Sequence, residues 1–264
     1  MKDFLVRLLS ALVFGPLMLV FVFLGHWYLY FLILLVCAVG LYELAGLTRS
    51  YGVKWPVPVA LAGSALSLAG GMLHRPLLMG AGPVLAFIIG AGITIFGREP
   101  VHATALGLPW VIVGSVWLGL FPAHFLYLRS GAHGLWTAGT ALLATWAYDV
   151  FAYLGGLAWG SRHFAVQVSP GKTVEGALLG TVASVGLLFV AGIGFLGLTW
   201  WKSIVAGLVL AAAAQVGDLT ESAFKRQAGV KDSGRFLPGH GGVLDRFDSL
   251  LFVAPAAVYL LQVL

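Results

Sequence analysis

The sequence predicts an all-α, polytopic membrane protein, and three observations carry that prediction. Charged residues make up only 9% of the 264 positions and apolar ones 60%, against about 25% charged in an ordinary soluble domain. Mean hydropathy is +0.97. The apolar residues run in continuous stretches of spanning length, without the two-residue alternation of a transmembrane barrel. Lipid offers no hydrogen-bond partner to a backbone that is neither helix nor closed barrel.

About nine transmembrane helices follow in order: 5–24, 27–47, 57–73, 77–96, 106–128, 137–157, 176–198, 201–216 and 247–264. The first is separated from the second only by Gly25-His26 and reads as a retained helix rather than a cleaved leader. Basic residues divide unequally between alternate sides. Twelve (Lys2, Arg7, Arg49, Lys54, Arg98, Arg162, Lys172, Lys225, Arg226, Lys231, Arg235, Arg246) face three (Arg75, Arg129, Lys202). That asymmetry predicts a cytoplasmic N-terminus, an outer C-terminus, and a site facing the cytoplasm from the inner membrane. Cys37, the single cysteine, is expected to pack as a small apolar residue. The net charge of +5 fits this positive-inside bias and anionic ligands. No basic stretch carries interleaved aromatics on a soluble module, so nucleic acid is not an expected partner.

Acids locate the chemistry. There are ten, and seven lie between Asp149 and Asp248, whereas the first four helices contribute only Asp3, Glu43 and Glu99. Residues 1–100 are therefore expected to be lipid and scaffold helices, and 101–264 the catalytic region. Residues 222–248 hold five basic residues, three acids and His240 in 27 positions. Just upstream, Asp218, Glu221, Ser222 and Lys225 are spaced i, i+3, i+4, i+7 and share one helical face. Lys225 and Arg226 would also suit snorkelling to the interface. A carboxylate at the depth of Asp218 is costly without a cation.

The loop after that helix carries Gly229, Gly234, Gly239, Gly241 and Gly242, which let backbone amides approach an anion. Asp245 and Asp248 then open the last helix at i, i+3, and such paired acids suit a hard cation like Mg²⁺, which takes one or two carboxylates plus substrate phosphates. Asp149 lies one turn from Tyr153 inside the sixth helix and is a functional candidate by its position. Ser169-Pro170-Gly171-Lys172-Thr173 opens the seventh. It is no P-loop, because Val166 stands where the first glycine is needed. Lys172, Thr173 and the helix N-terminus could hold a phosphate, and Ser169 as N-cap with Pro170 in the first turn is the structural alternative. The remaining histidines, His26, His74, His102, His124, His133 and His163, read as interfacial residues.

The pattern Ser222-x-Phe224-Lys225-Arg226, four residues, Lys231-Asp232-x-Gly234-x-x-Leu237-Pro238-x-His240-Gly241-Gly242-x-x-Asp245-Arg246-Phe247-Asp248 resembles the signature of the phosphatidate cytidylyltransferases. Gly217-Asp218-Leu219, the Ser169-to-Gly176 element and the Asp149-to-Tyr153 helix are similar to further family features; Leu157, Gly171 and Val174 depart from them. The resemblance implies a nucleotidyltransferase that makes CDP-diacylglycerol and pyrophosphate from CTP and phosphatidic acid in phospholipid synthesis. It also implies a homodimer in the lipid bilayer and Mg²⁺, with K⁺ as the candidate second cation. Asp218, Asp245 and Glu221 are then the expected metal ligands. Asp218, Lys225, Arg226, Asp245 and Asp248 are the expected catalytic set, while Asp149, Lys172, Thr173, Ser222, Lys231, Asp232, His240, Gly241, Gly242 and Arg246 are expected to bind substrate. A CTP-dependent lipid kinase is the alternative within enzymes. A polytopic transporter is the alternative outside them, though transporters place their sites near the midplane on interrupted helices.

Overall fold

A computed structural model of the protein describes residues 14–98, 100–234, 236 and 241–263. Among them there is no strand, only an isolated bridge between His163 and Thr173. The helices are α1 (Phe14–Leu24), α2 (His26–Arg49), α3 (Val57–Met72), α4 (Pro76–Phe96), α5 (Val101–Thr104), α6 (Leu108–Ser115), α7 (Phe121–Ser130), α8 (Gly134–Trp159), α9 (Val174–Phe195), α10 (Trp200–Gln227) and α11 (Leu244–Val263). A 3₁₀ turn, Ala105–Gly107, follows α5 and runs with α6, a π segment, Val116–Leu120, and α7 as one span, Ala105–Ser130.

Among the described residues each of the nine predicted stretches falls mainly on helix, while 5–13 of the first and Leu264 of the last lie outside the described residues. Among the described residues seven spans are long and apolar enough to cross a membrane, and Phe14–Leu24 and Val57–Met72 are shorter apolar helices. The protein is an integral membrane protein. The chain divides into two compact units, Met1–Gly131 with Gln227–Arg246, and Ala132–Arg226 with Phe247–Leu264.

In the first unit, small residues let helices approach closely. Cβ atoms added at Gly63 and Gly82 would overlap the facing backbone between α3 and α4. Pro83, inside α4, lacks the N–H that would bond the Met79 carbonyl one turn back; Ser67 Oγ of α3 donates to that carbonyl instead, at 2.8 Å. Gly25, at φ 63°, ends α1, and Arg129 of α7 donates to the freed carbonyls of Val22 (2.5 Å) and Phe23 (2.8 Å). Cys37 is fully buried and unoxidised, as its place in the sequence predicts.

His124 departs from the interfacial reading. It is 4% exposed within the Ala105–Ser130 span, with Nδ1 2.7 Å from the Leu120 carbonyl. The Leu120 carbonyl, at the end of the π segment, gives the buried ring its partner.

In the second unit α8 and α9 run antiparallel. Cβ atoms at Gly176 and Gly180 would overlap the Ala152 and Tyr148 carbonyls. The buried residues of α9 are Gly176, Gly180, Ser184, Leu188 and Gly192, one per turn, while Leu178, Val182 and Val190 point outward. Packing by small residues with bulk turned toward lipid is the expected pattern for membrane helices. The same device brings α10 to α11, since a Cβ on Gly217 would overlap the Asp248 carbonyl.

Candidate active site

The polar stripe on α10 forms as its spacing predicts, because the helix runs unbroken to Gln227. Glu221 is fully buried and pairs with Lys225 one turn on. Ser222 Oγ donates to Asp218 Oδ1 at 3.4 Å. The other Asp218 oxygen pairs with Lys172, which the 160–173 connection delivers from another part of the unit. That connection is itself held at both ends. Glu175 accepts from the Ser161 and Arg162 N–H groups (3.2 Å each), from Ser161 Oγ (3.0 Å) and from Arg162 Nε (2.9 Å). Arg226 Nε donates to the Val168 carbonyl at 3.0 Å.

Thr173, rather than Ser169, caps α9. Its Oγ1 accepts from the Gly176 N–H at 3.2 Å, and the side chain is buried. Pro170 lies outside the helix because the chain turns until Thr173 adopts the extended conformation a cap requires.

Asp149 is exposed on α8 and accepts from Ser249 Oγ of α11 at 3.3 Å. Asp248, half-buried beside it, is within electrostatic reach of Asp218, Asp149 and Lys225. Beneath them Tyr148 donates its hydroxyl proton to Gln215 Oε1. Three aspartates and two lysines thus gather in the second unit on α8, α10, α11 and the loop before α9.

The signature loop belongs to the first unit. Asp245 Oδ2 accepts from the Ser233 N–H (2.9 Å), Ser233 Oγ (2.9 Å) and the Gly242 N–H (2.8 Å). Gly241 takes φ 82°, a left-handed conformation suited to glycine, and a Cβ there would press on Asp245 and Asp232. Lys231, Asp232 and Arg246 are exposed. His240 lies outside the described residues.

Sequence reasoning missed Glu43. It is 6% exposed on α2, and its carboxylate accepts from the N–H groups of Val243 (2.9 Å) and Leu244 (2.8 Å) and from Ser233 Oγ (3.2 Å). The signal was present, since it is the only acid among residues 14–98 and an acid within an apolar helix is a functional candidate by default.

Residues 5–264 match the model of the Cytidylyltransferase family. The chain belongs to that family. A phosphatidate cytidylyltransferase of Synechocystis sp. is 32% identical over 287 aligned positions, covering 98% of this chain and 96% of that protein. Those of Staphylococcus saprophyticus (43% identical, 50% of this chain and 51% of the relative) and Bacillus subtilis (38%, 58% and 57%) match over about half of either length.

The carboxylates of both units are of the donor type that suits Mg²⁺, a hard ion that takes oxygen ligands. Among the described residues no three His, Cys, Asp or Glu side chains are grouped so as to hold a metal ion. Asp218 already pairs with the cationic Lys172.

Proposed function

We propose that this protein is a phosphatidate cytidylyltransferase, transferring the cytidylyl group of CTP to phosphatidic acid to give CDP-diacylglycerol and pyrophosphate. The observation that carries the reading is the array on α10, where Lys172 is held on Asp218 and Lys225 on Glu221, in a chain whose family and relatives are cytidylyltransferases.

A phosphate oxygen of phosphatidic acid attacks the α-phosphorus of CTP. A new P–O bond forms, the α–β bridging P–O bond breaks, and pyrophosphate leaves with the electron pair. The nucleophile is already anionic, so the task is to bring two polyanions together and stabilise the leaving group. Lys172 and Lys225 sit on carboxylates that a bound cation would also occupy, and are placed to pass to phosphate oxygens. Arg226, Lys231 and Arg246 add positive charge. Asp149, Thr173, Ser222, Asp232, His240, Gly241 and Gly242 complete the proposed substrate contacts, with Asp248 in the catalytic set. Asp218, Glu221 and Asp245 are the proposed Mg²⁺ ligands, and K⁺ is the proposed second cation. When bound, the metal neutralises charge on the phosphates and the leaving group.

The basic-residue asymmetry supports a cytoplasmic N-terminus and signature loop, in an inner membrane that supplies the lipid while CTP arrives from water. A homodimer, with residues 1–100 as scaffold, completes the proposal. The test is turnover by purified protein in detergent, with CTP labelled at the α- or γ-phosphate, phosphatidic acid, and Mg²⁺ or a chelator. The α-label is expected in the lipid product, only with Mg²⁺. Transfer of the γ-label would instead identify a lipid kinase, and no transfer of either would reject the enzyme reading.

A further inference from the structure

We infer that Glu43, on a helix remote in sequence from the signature, is a positioning residue that fixes the start of α11 and with it the carboxylate of Asp245. The first N–H groups of a helix have no intrahelical acceptor, and here a carboxylate from another helix takes two of them, at Val243 and Leu244. The helix dipole favours an acid at this end. Ser233 joins Glu43 to Asp245. Its Oγ lies 3.2 Å from Glu43 Oε2 and 2.9 Å from Asp245 Oδ2, so its single proton serves either carboxylate, while its N–H donates to Asp245.

The glycines of the loop are shaped around the same group. A Cβ on Gly234 or Gly242 would overlap the Glu43 carboxylate. Two glycines are thus spent on admitting an acid that lies about 200 residues away in sequence. A group that merely filled space would not require that. The two carboxylates together take donors from Ser233, Gly242, Val243 and Leu244, leaving the Asp245 side chain little freedom to turn.

The catalytic half of this inference rests on the cytidylyltransferase reading; the structural half does not. Glu43→Gln keeps one acceptor oxygen and places an NH₂ donor against a donor of the loop. Hydrogen exchange of the purified protein in detergent reads the contact directly. The amides of 242–245 should exchange slowly in the wild type and about tenfold or more faster in Glu43→Gln. In the CTP and phosphatidic acid assay, that variant should lose about 10²-fold in kcat, the scale expected from a small displacement of a catalytic group. KM for phosphatidic acid should stay unchanged and the Mg²⁺ concentration for half-maximal rate should rise.

Glu43→Asp, which keeps the charge and is the milder change, should recover part of both effects and serves if the glutamine variant does not fold. Unchanged exchange at 242–245 would overturn the inference. So would faster exchange with kcat and Mg²⁺ dependence intact, which would make Glu43 a structural cap alone. A wild type that never transfers cytidylyl while Glu43→Gln still loosens 242–245 would reject the function and, with it, the positioning role, leaving the contact standing.

Discussion

Glu221 and Lys225 show what a single position contributes to this protein. The carboxylate is fully buried and its lysine is 12% exposed, so removing the cation alone leaves a charge deep in the bundle without that partner. Breaking such a pair costs about 3–5 kcal/mol, while replacing both members can be neutral. Lys225→Gln should therefore lower both thermal stability and activity. Adding Glu221→Gln should restore the unfolding temperature without restoring kcat/KM, which should stay about 10²-fold or more down because the double variant lacks both the lysine proposed to meet the transferring phosphates and a proposed metal ligand. Recovery of activity along with stability would assign the lysine to folding alone. For the proposed metal ligands, Asp218→Asn and Asp245→Asn keep shape and lose charge; turnover should fall by about 10³-fold or more in protein that remains folded. Near-normal turnover in either would remove that residue from the metal site.

Among the elements, α4 makes a test of backbone bookkeeping. Ser67→Ala takes away the proton given to the Met79 carbonyl and should destabilise the protein by about 1–2 kcal/mol. Pro83→Ala supplies an N–H to that carbonyl from within α4, so the double variant should unfold above Ser67→Ala, measured by thermal denaturation in detergent. Equal midpoints would mean that the carbonyl has no need of either donor. The sequence shows that α4 exists but not this exchange, because it depends on which helix lies alongside. The 105–130 span is similar. Its apolar run is plain, yet its change from 3₁₀ to α to π, with Pro109 at the start of α6 and Pro122 at the start of α7, cannot be read from that run. Conversely, the α10 stripe was legible because Asp218, Glu221, Ser222 and Lys225 lie on one uninterrupted helix, where spacing alone sets adjacency.

For the molecule as a whole, the class and the segments could be read from composition and run length, since lipid admits so few backbone solutions. The long-range contacts could not. Lys172 reaches Asp218 across a connection with no periodicity, and Glu43 meets Val243 and Leu244 from the opposite end of the chain. The proposed orientation also belongs to this scale. Cysteines placed near Gly234, at the exposed Phe236, and after Gln262 should react with impermeant reagents from opposite faces of the membrane, and Cys37, fully buried, should not interfere. Reaction of both from one face would overturn the proposed topology.

The helix α9 carries Gly176, Gly180 and Gly192 inward and large side chains such as Leu178, Val182 and Val190 outward. In water such a helix would be inside out. Here it separates two kinds of freedom, since Leu178, Val182 and Val190 can be exchanged for other apolar residues to suit a thicker or more fluid bilayer. Gly176 and Gly180, meanwhile, cannot gain even one methyl group without driving α8 away. The lipid-facing surface of this helix can drift with the membrane the cell makes, while the register that sets the Asp149 and Lys172 ends of α8 and α9 stays fixed.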